Sequence, residues 1–294
     1  MEFGSFLTRF LSHALAAAGS GLLSAGAPLF DLTIPKSGYA VMRDIAYGDG
    51  PRARLDLYVP DALAAPAPVL LFFYGGSWQS GSKNIYRALG EAFASAGVIV
   101  AVADYRLYPS VKYPAFVADG ARAFRFLHES IAGQGGDCAH IFLGGHSAGA
   151  YIAAMLACNP AYLADAGSSA ARIRGVIGIA GAYDFLPLYD PALIDIFGGD
   201  RAMATQPIKY AGNKSPPMLL AHGTKDRTVG AGNSRRMAKR LREAGNAVEL
   251  IEYQGAGHLG LLLSLAHGFR NRTSLRSQSA MLAPICSMSM TTSG

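Results

Sequence analysis

A serine at the centre of a Gly-x-Ser-x-Gly pentapeptide is the residue of this chain best suited to nucleophilic chemistry. The pentapeptide runs from Gly145 to Gly149, between the largely apolar run 139–143 and the helix-like run 150–157. A turn of this kind between a strand and a helix requires residues without a Cβ, because the backbone is sharply bent, and it exposes the serine hydroxyl. Ser147 is therefore a candidate nucleophile.

A serine hydroxyl reacts slowly at neutral pH unless a base and an orienting carboxylate lie within reach. Asp226 and His258 each follow an apolar run that predicts a buried strand, 218–221 and 248–253. Loops after three different parallel strands can meet, because the carboxyl ends of such strands share one edge of the sheet. The order Ser, Asp, His along the chain is the one expected for triads on this kind of sheet. We predict that Ser147, Asp226 and His258 form a catalytic triad.

Asp184 is the alternative to Asp226 as the acid of the triad. It follows the predicted strand 176–180, which comes immediately before the strand that leads to Asp226. The other histidines are weaker candidates for the base: His146 lies inside the pentapeptide and is expected to point away from the Ser147 hydroxyl, and His222 ends a strand.

A second glycine-containing loop, Tyr74-Gly75-Gly76-Ser77-Trp78, closes the buried strand that begins at Val69. Paired glycines at such a place allow backbone N–H groups to face a developing negative oxygen. We predict an oxyanion hole formed by the N–H groups of Gly76, Ser77 and Ala148. Trp78, the only tryptophan, is predicted either to border the substrate pocket or to pack this loop onto the core.

The elements that must position these residues follow from the hydrophobic pattern. Two early runs alternate apolar and polar residues, as half-exposed antiparallel strands do: 41–47 and 54–59. Six later runs are almost continuously apolar, as parallel strands buried on both faces are: 69–74, 98–103, 141–143, 176–180, 218–221 and 248–253. Helical patterns lie between them at 85–96, 116–131, 150–157 and 234–244. The predicted fold class is α/β, a mostly parallel central sheet with helices on both faces.

The 294 residues, 51% of them hydrophobic, are enough for one large domain with a buried core. We predict that this domain spans 39–268. Residues 1–38 are predicted to form a helix that caps the site or, in the alternative, a signal-like segment, and 269–294 a weakly structured tail. The proline-containing stretch 186–215 is expected to be a small, irregular, partly helical cap.

The combined motifs resemble those of the α/β-hydrolase superfamily, in its carboxylesterase branch of hormone-sensitive-lipase-like and feruloyl-esterase-like enzymes. They are the Gly-Gly-Ser-Trp loop, Asp104-Tyr105-Arg106-Leu107, the Gly-His-Ser-Ala-Gly turn, His222-Gly223-x-x-Asp226 and Gly257-His258. This resemblance implies a serine hydrolase that cleaves carboxylic esters without a cofactor. The small cap, which leaves no large lid over a long acyl chain, predicts short-chain or small aromatic esters rather than triglycerides. Tyr74 departs from the family pattern, in which a histidine usually begins the oxyanion loop.

Two other functions remain open from the sequence. An arylformamidase-type amide hydrolase would use the same triad, and a catalytically silent hydrolase fold could serve as a binding protein. The second usually lacks a triad residue, whereas all three are present here.

Composition limits the partners. The net charge is +6, but the basic cluster around residues 235–242 has the spacing of a solvated helix face, so we do not expect nucleic-acid binding. The apolar run 6–30 is too interrupted for a membrane span. Three unpaired cysteines and the lack of ligand clusters predict no metal, no nucleotide and no disulfide framework. We expect a cytoplasmic protein acting on a small ester, or a secreted or periplasmic one if the N-terminal stretch is a signal.

Overall fold

The computed structural model of the protein describes residues 34–63 and 66–265. Residues 1–33 of the predicted N-terminal segment and the whole predicted tail, 269–294, lie outside the described residues. The predicted domain limits of 39 and 268 therefore stay a prediction.

The strands of the described residues form one sheet in the order β1-β2-β4-β3-β5-β6-β7-β8. Pairing is antiparallel between β1 and β2 and between β2 and β4, and parallel between all the other neighbours. The mostly parallel sheet predicted from the sequence is confirmed. Its strands are Tyr39–Ala46 (β1), Arg54–Pro60 (β2), Ala67–Phe73 (β3), Ile99–Ala103 (β4), Gly136–His146 (β5), Ile173–Ile179 (β6), Met218–Gly223 (β7) and Val248–Tyr253 (β8).

Helices cover both faces of this sheet. They are Arg87–Ala94 (α1), Ala115–Ser130 (α2), Ala148–Cys158 (α3), Ala161–Asp165 (α4), Pro191–Phe197 (α5), Pro207–Tyr210 (α6), Gly232–Glu243 (α7) and Gly260–Leu265 (α8). Helix α1 packs on β2 and β4 and contacts α8, whereas α2 and α3 pack together over β3 and β5. Helix α7 packs on β7 and β8. Among the described residues, no helix has the length and apolar character that a membrane span needs.

Two strands differ in burial from the expectation. Strand β2 was predicted to be half exposed, yet most of it is buried because α1 covers it so closely that a Cβ on Gly90 would lie 2.7 Å from the Tyr58 ring. The polar residue of this strand, Asp56, is fully buried and accepts from Lys83 Nζ at 2.9 Å. Strand β8 is predicted to be buried on both faces, yet it is only half buried because it lies at the edge of the sheet and, among the described strands, pairs with β7 alone.

The cap predicted at 186–215 is an irregular excursion that contains the two short helices α5 and α6. The Asp190 side chain accepts from the N–H of Ala192 at 2.8 Å, which starts α5, and Gly198 ends that helix at φ 71°. Such short helices leave the cap small, as the sequence indicated.

Candidate active site

The turn that carries Ser147 is as strained as the pentapeptide predicts. Strand β5 ends at His146, helix α3 begins at Ala148, and Ser147 between them has φ 53° and ψ −116°. A left-handed φ at a non-glycine residue persists only when the surroundings fix it. Here the Ser147 N–H donates to the Ile179 carbonyl of β6 at 2.9 Å, and the Ser147 carbonyl accepts from the Tyr151 N–H at 3.1 Å.

The two glycines of the pentapeptide are required by close backbone contacts. A Cβ on Gly149 would lie 1.9 Å from the Phe73 carbonyl oxygen, at the end of β3. A Cβ on Gly145 would lie 2.2 Å from the carbonyl carbon of Gly149. Because neither backbone can withdraw without breaking the turn, glycine at both positions is a steric condition for presenting Ser147.

Asp226 and His258 are brought together from two different loops. His258 Nδ1 lies 2.7 Å from Asp226 Oδ2, and the Asp226 side chain is fully buried. The other oxygen, Oδ1, accepts from the N–H groups of Thr228 and Val229, each at 2.9 Å. The carboxylate is therefore fixed by its own loop while it orients the imidazole.

A second histidine supports the same carboxylate. His222, fully buried at the end of β7, has Nε2 3.2 Å from Asp226 Oδ2 and 2.7 Å from the Val229 carbonyl. Its Nδ1 lies 2.7 Å from the hydroxyl of Ser234, on α7. Since the Val229 carbonyl can only accept, His222 Nε2 carries a proton, and this N–H faces both the Val229 carbonyl and the Asp226 carboxylate.

The charge of Asp226 follows from these contacts. Burial by itself raises the pKa of the Asp226 carboxyl, but the hydrogen bonds from His222 and His258 and the electrostatic interaction with His258 outweigh burial and hold that pKa well below its ordinary value. Asp226 is thus an anion over the working pH range and stabilises a positive His258.

Ser147 and His258 are not hydrogen-bonded to each other in the structure. Within residues 34–63 and 66–265, no hydrogen bond joins Ser147 Oγ to another side chain. The His258 ring nevertheless lies 4.7 Å, between centroids, from the ring of His146, which is the chain neighbour of Ser147. Serine–histidine hydrogen bonds often tighten only when substrate is bound. Full triad geometry stays a prediction.

The Gly-Gly loop leaves the predicted donors unoccupied. Gly76, Ser77 and Trp78 have φ values of 143°, 53° and 60°. The Gly76 carbonyl accepts from the N–H of residue 80 at 3.0 Å, so the loop turns tightly back on itself. In the described part of the chain, no hydrogen bond uses the N–H of Gly76, Ser77 or Ala148. These amides are free to bind an oxyanion, and their role as its donors stays a prediction.

Tyr74, the departure from the family pattern, anchors this loop through Arg52. The guanidinium of Arg52 donates to the Tyr74 hydroxyl, to the Gly81 carbonyl at 2.9 Å and to the Tyr105 carbonyl at 2.7 Å. The rings of Tyr74 and Tyr105 stack with centroids 4.5 Å apart. The loop is therefore held at both ends without a histidine.

Trp78 packs the loop onto the core, which is the second of its two predicted roles. Only 3% of Trp78 is exposed. Its ring lies between 4.8 and 6.0 Å from four other aromatic rings, those of Phe116, Tyr151, Phe185 and Phe197. The cluster fills the space beside the oxyanion loop, and a direct contact between Trp78 and substrate stays a prediction.

Asp184, the alternative acid, faces elsewhere. Its carboxylate pairs with Arg236 on α7, and its carbonyl accepts from the same guanidinium at 2.7 Å. Among the residues described, no group of three or more His, Cys, Asp or Glu side chains could hold a metal ion. Cys138 and Cys158 are free thiols, and Cys286 lies outside the described residues.

Several contributors to the site were missed from the sequence. Tyr86 and Ser234 carry no local signal, because each lies on a different element from its partner. His222 could have been found, since it stands four residues before the acid at the end of the same strand, where its side chain faces the acid loop.

Comparisons with known proteins agree with this geometry. The BD-FAE family model matches residues 55–241. A probable isoprenylcysteine alpha-carbonyl methylesterase of Arabidopsis thaliana is 32% identical over 247 residues, which cover 76% of this chain and 52% of that protein. The chain spans about half the length of the first curated relatives it matches.

Solved esterase structures are similar over most of their length. A thermophilic esterase from Thermogutta terrifontis with propionate bound is 27% identical, with a TM-score of 0.70, covering 86% of this chain and 96% of its own. A structure of the same esterase phosphorylated by paraoxon is 28% identical, with a TM-score of 0.69, covering 86% and 95% of the two chains.

Proposed function

This chain belongs to the BD-FAE family and has the α/β-hydrolase fold of carboxylesterases, and on that premise we propose that it hydrolyses short-chain or small aromatic carboxylic esters through an acyl-enzyme on Ser147. The observation that carries the proposal is the 2.7 Å hydrogen bond between Asp226 and His258, at the same edge of the sheet as the strained serine turn.

The proposed reaction has two steps. His258 accepts the Ser147 proton as the hydroxyl attacks the ester carbonyl, and Asp226 stabilises the imidazolium that forms. The N–H groups of Gly76, Ser77 and Ala148 hold the oxyanion, His258 returns the proton to the departing alcohol, and an acyl-serine remains. Water, activated by His258, then attacks the acyl-serine and releases the acid by the same route.

Substrate size is proposed from the aromatic cluster and the small cap. Beside the oxyanion loop the space is filled by Trp78 and its neighbours, and Phe185, which stacks on Trp78 at 5.7 Å, is half buried at the edge of that cluster. The related esterase from Thermogutta terrifontis has been solved with propionate and with butyrate bound. Both observations support acyl groups of few carbons.

The proposal is tested by labelling with a fluorophosphonate probe, followed by peptide mass spectrometry, in wild type and Ser147→Ala. The expected result is stoichiometric label on Ser147 in the wild type and none in the variant, together with loss of p-nitrophenyl acetate hydrolysis in the variant. Ser80→Ala is the matched control, because Ser80 lies in the neighbouring loop and, among the described residues, its hydroxyl bonds only to the Gly76 carbonyl, at 3.3 Å. A wild type that neither takes the label nor hydrolyses the ester would instead indicate the silent scaffold.

The amide-cleaving alternative is separated by substrate. We expect kcat/KM for p-nitrophenyl acetate and butyrate to exceed that for N-formylkynurenine. The reverse order would assign the chain to formamide hydrolysis with the same triad.

A further inference from the structure

We propose that His146, oriented by Tyr86, is a positioning residue that couples the oxyanion loop, the serine turn and the loop that carries the base. This inference rests on the proposed function. It assigns a task to a buried pair that the acyl-transfer steps do not use.

Three hydrogen bonds connect these parts in sequence. The N–H of Gly75 donates to the Tyr86 hydroxyl at 2.9 Å, and that hydroxyl lies 2.9 Å from His146 Nδ1. On the other side of the ring, His146 Nε2 lies 3.0 Å from the carbonyl oxygen of His258. Both His146 and Tyr86 are buried, with 2% and 6% of their surface exposed.

The donor and the acceptor of each of these three hydrogen bonds are determined. The His258 carbonyl can only accept, so His146 Nε2 carries the proton. Burial, with the nearby charge of His258, lowers the pKa of His146 to about 3, so the ring is neutral and its Nδ1 accepts from the Tyr86 hydroxyl. The hydroxyl in turn accepts from Gly75. Each buried polar atom has the partner it needs, which fixes one ring orientation.

The contact sets where the base stands relative to the nucleophile. His146 is the chain neighbour of Ser147, and its bond to the His258 backbone ties the two catalytic loops directly. The hydrogen bond to the Asp226 carboxylate restrains the ring of His258 and not its backbone. Gly75 is also pressed against His146, since a Cβ there would lie 2.7 Å from Nδ1. The Tyr86 bond withdraws the Gly75 N–H from the oxyanion hole and leaves the following amides for that purpose.

Two substitutions at position 146 separate positioning from space filling. Glutamine places an N–H at about the distance of Nε2 and keeps a donor for the His258 carbonyl, whereas asparagine reaches only as far as Nδ1 and keeps an acceptor for Tyr86. The proteins are compared by kcat and KM for p-nitrophenyl acetate, per site titrated with a fluorophosphonate. Tyr86→Phe removes the orienting hydroxyl. Tyr162→Phe is its control, because it removes a hydroxyl whose one hydrogen bond within residues 34–63 and 66–265 is to Tyr113.

We expect His146→Asn and Tyr86→Phe to lose about 10- to 100-fold in kcat with KM nearly unchanged, because a displacement of the base of about 1 Å has such an effect. His146→Gln retains more kcat than His146→Asn, and Tyr162→Phe matches the wild type. In NMR spectra the downfield Nδ1–H signal of His258 weakens or shifts in the two impaired variants.

Equal kcat in the two position-146 variants, or an unchanged His258 signal with normal kcat in Tyr86→Phe, would overturn the inference while leaving the proposed function standing. An inactive, unlabelled wild type would overturn the proposed function instead. If His146→Asn does not fold, Tyr86→Phe, in which only a hydroxyl is lost, decides alone.

Discussion

At the scale of single residues, the two candidate acids differ in what their carboxylates contact. Asp226 lies 2.7 Å from His258, whereas Asp184 pairs with Arg236 on α7. Replacing Asp226 by Asn should lower kcat by about 10⁴-fold with the fold intact, because the imidazole loses the anion that fixes its tautomer. Asp184→Asn is the matched control and should leave kcat close to the wild-type value. Steady-state kinetics of both variants, with equal melting temperatures, check the prediction; a large loss in Asp184→Asn would contradict it.

His146 also makes the stability depend on pH. Its pKa is about 3 in the folded protein and, in the unfolded chain, near the ordinary value of 6.5. Between these values the unfolded state binds a proton that the folded state excludes, so the free energy of unfolding rises with pH by up to about 1.4 kcal/mol per pH unit. This contribution is complete above about pH 6.5 and is lost as the pH falls towards 3. Urea denaturation at several pH values between 4 and 7 gives the free energy of unfolding as a function of pH. This free energy should rise less steeply with pH in His146→Gln than in the wild type, and an equal rise would refute the low pKa of His146.

At the scale of elements, β5 and α3 are joined by a turn that depends on the absence of a side chain. Gly149→Ala should lower the free energy of unfolding by about 1–3 kcal/mol or more, because its Cβ would collide with the Phe73 carbonyl. Gly133→Ala is the control: a Cβ there meets nothing within 4 Å, so stability should stay constant or rise by up to about 1 kcal/mol. Chemical denaturation of both variants measures the difference, and similar values would show that the turn can relax.

The same scale shows what the sequence could predict. The turn at Ser147 and the order of the triad were visible because each is a local pattern at the end of an apolar run. The half burial of β8 could not be predicted, since the composition of a strand does not show whether it lies at the centre or at the edge of the sheet. Arg52 and Tyr86 were also missed, because each acts through a partner on another element. Long-range polar contacts have no sequence period.

At the scale of the whole molecule, a buried lysine connects the first two strands with the segment that follows β4. Lys83 Nζ lies 2.7 Å from Asp44 on β1 and 2.9 Å from the fully buried Asp56 on β2, while its N–H donates to Asp104 after β4. Of these residues the sequence motifs include Asp104 alone, because the charges of Lys83, Asp44 and Asp56 look like those of a solvated surface.

Removing this cation should be far more damaging than removing an exposed one. Lys83→Met removes the buried cation next to the Asp56 carboxylate, which keeps only Arg43 at 3.3 Å and the Asp44 N–H at 2.9 Å among its described partners, and should lower the free energy of unfolding by about 3 kcal/mol. Lys112→Met breaks the exposed pair with Asp195 and should change stability far less, because solvent screens that pair. Guanidinium denaturation of the two variants provides the comparison, and comparable losses would contradict the prediction.

The hydrogen bond from Arg52 to Tyr74 makes the residue tolerated at either position depend on the residue at the other. Exchanging Tyr74 alone for the histidine that is more usual at this place removes the phenolic acceptor and sets a guanidinium against an imidazole. The two sites are therefore epistatic: an evolutionary path between the tyrosine and histidine forms of the loop must alter position 52 as well. Libraries that randomise the loop around a fixed Arg52 will thus recover Tyr74 far more often than histidine.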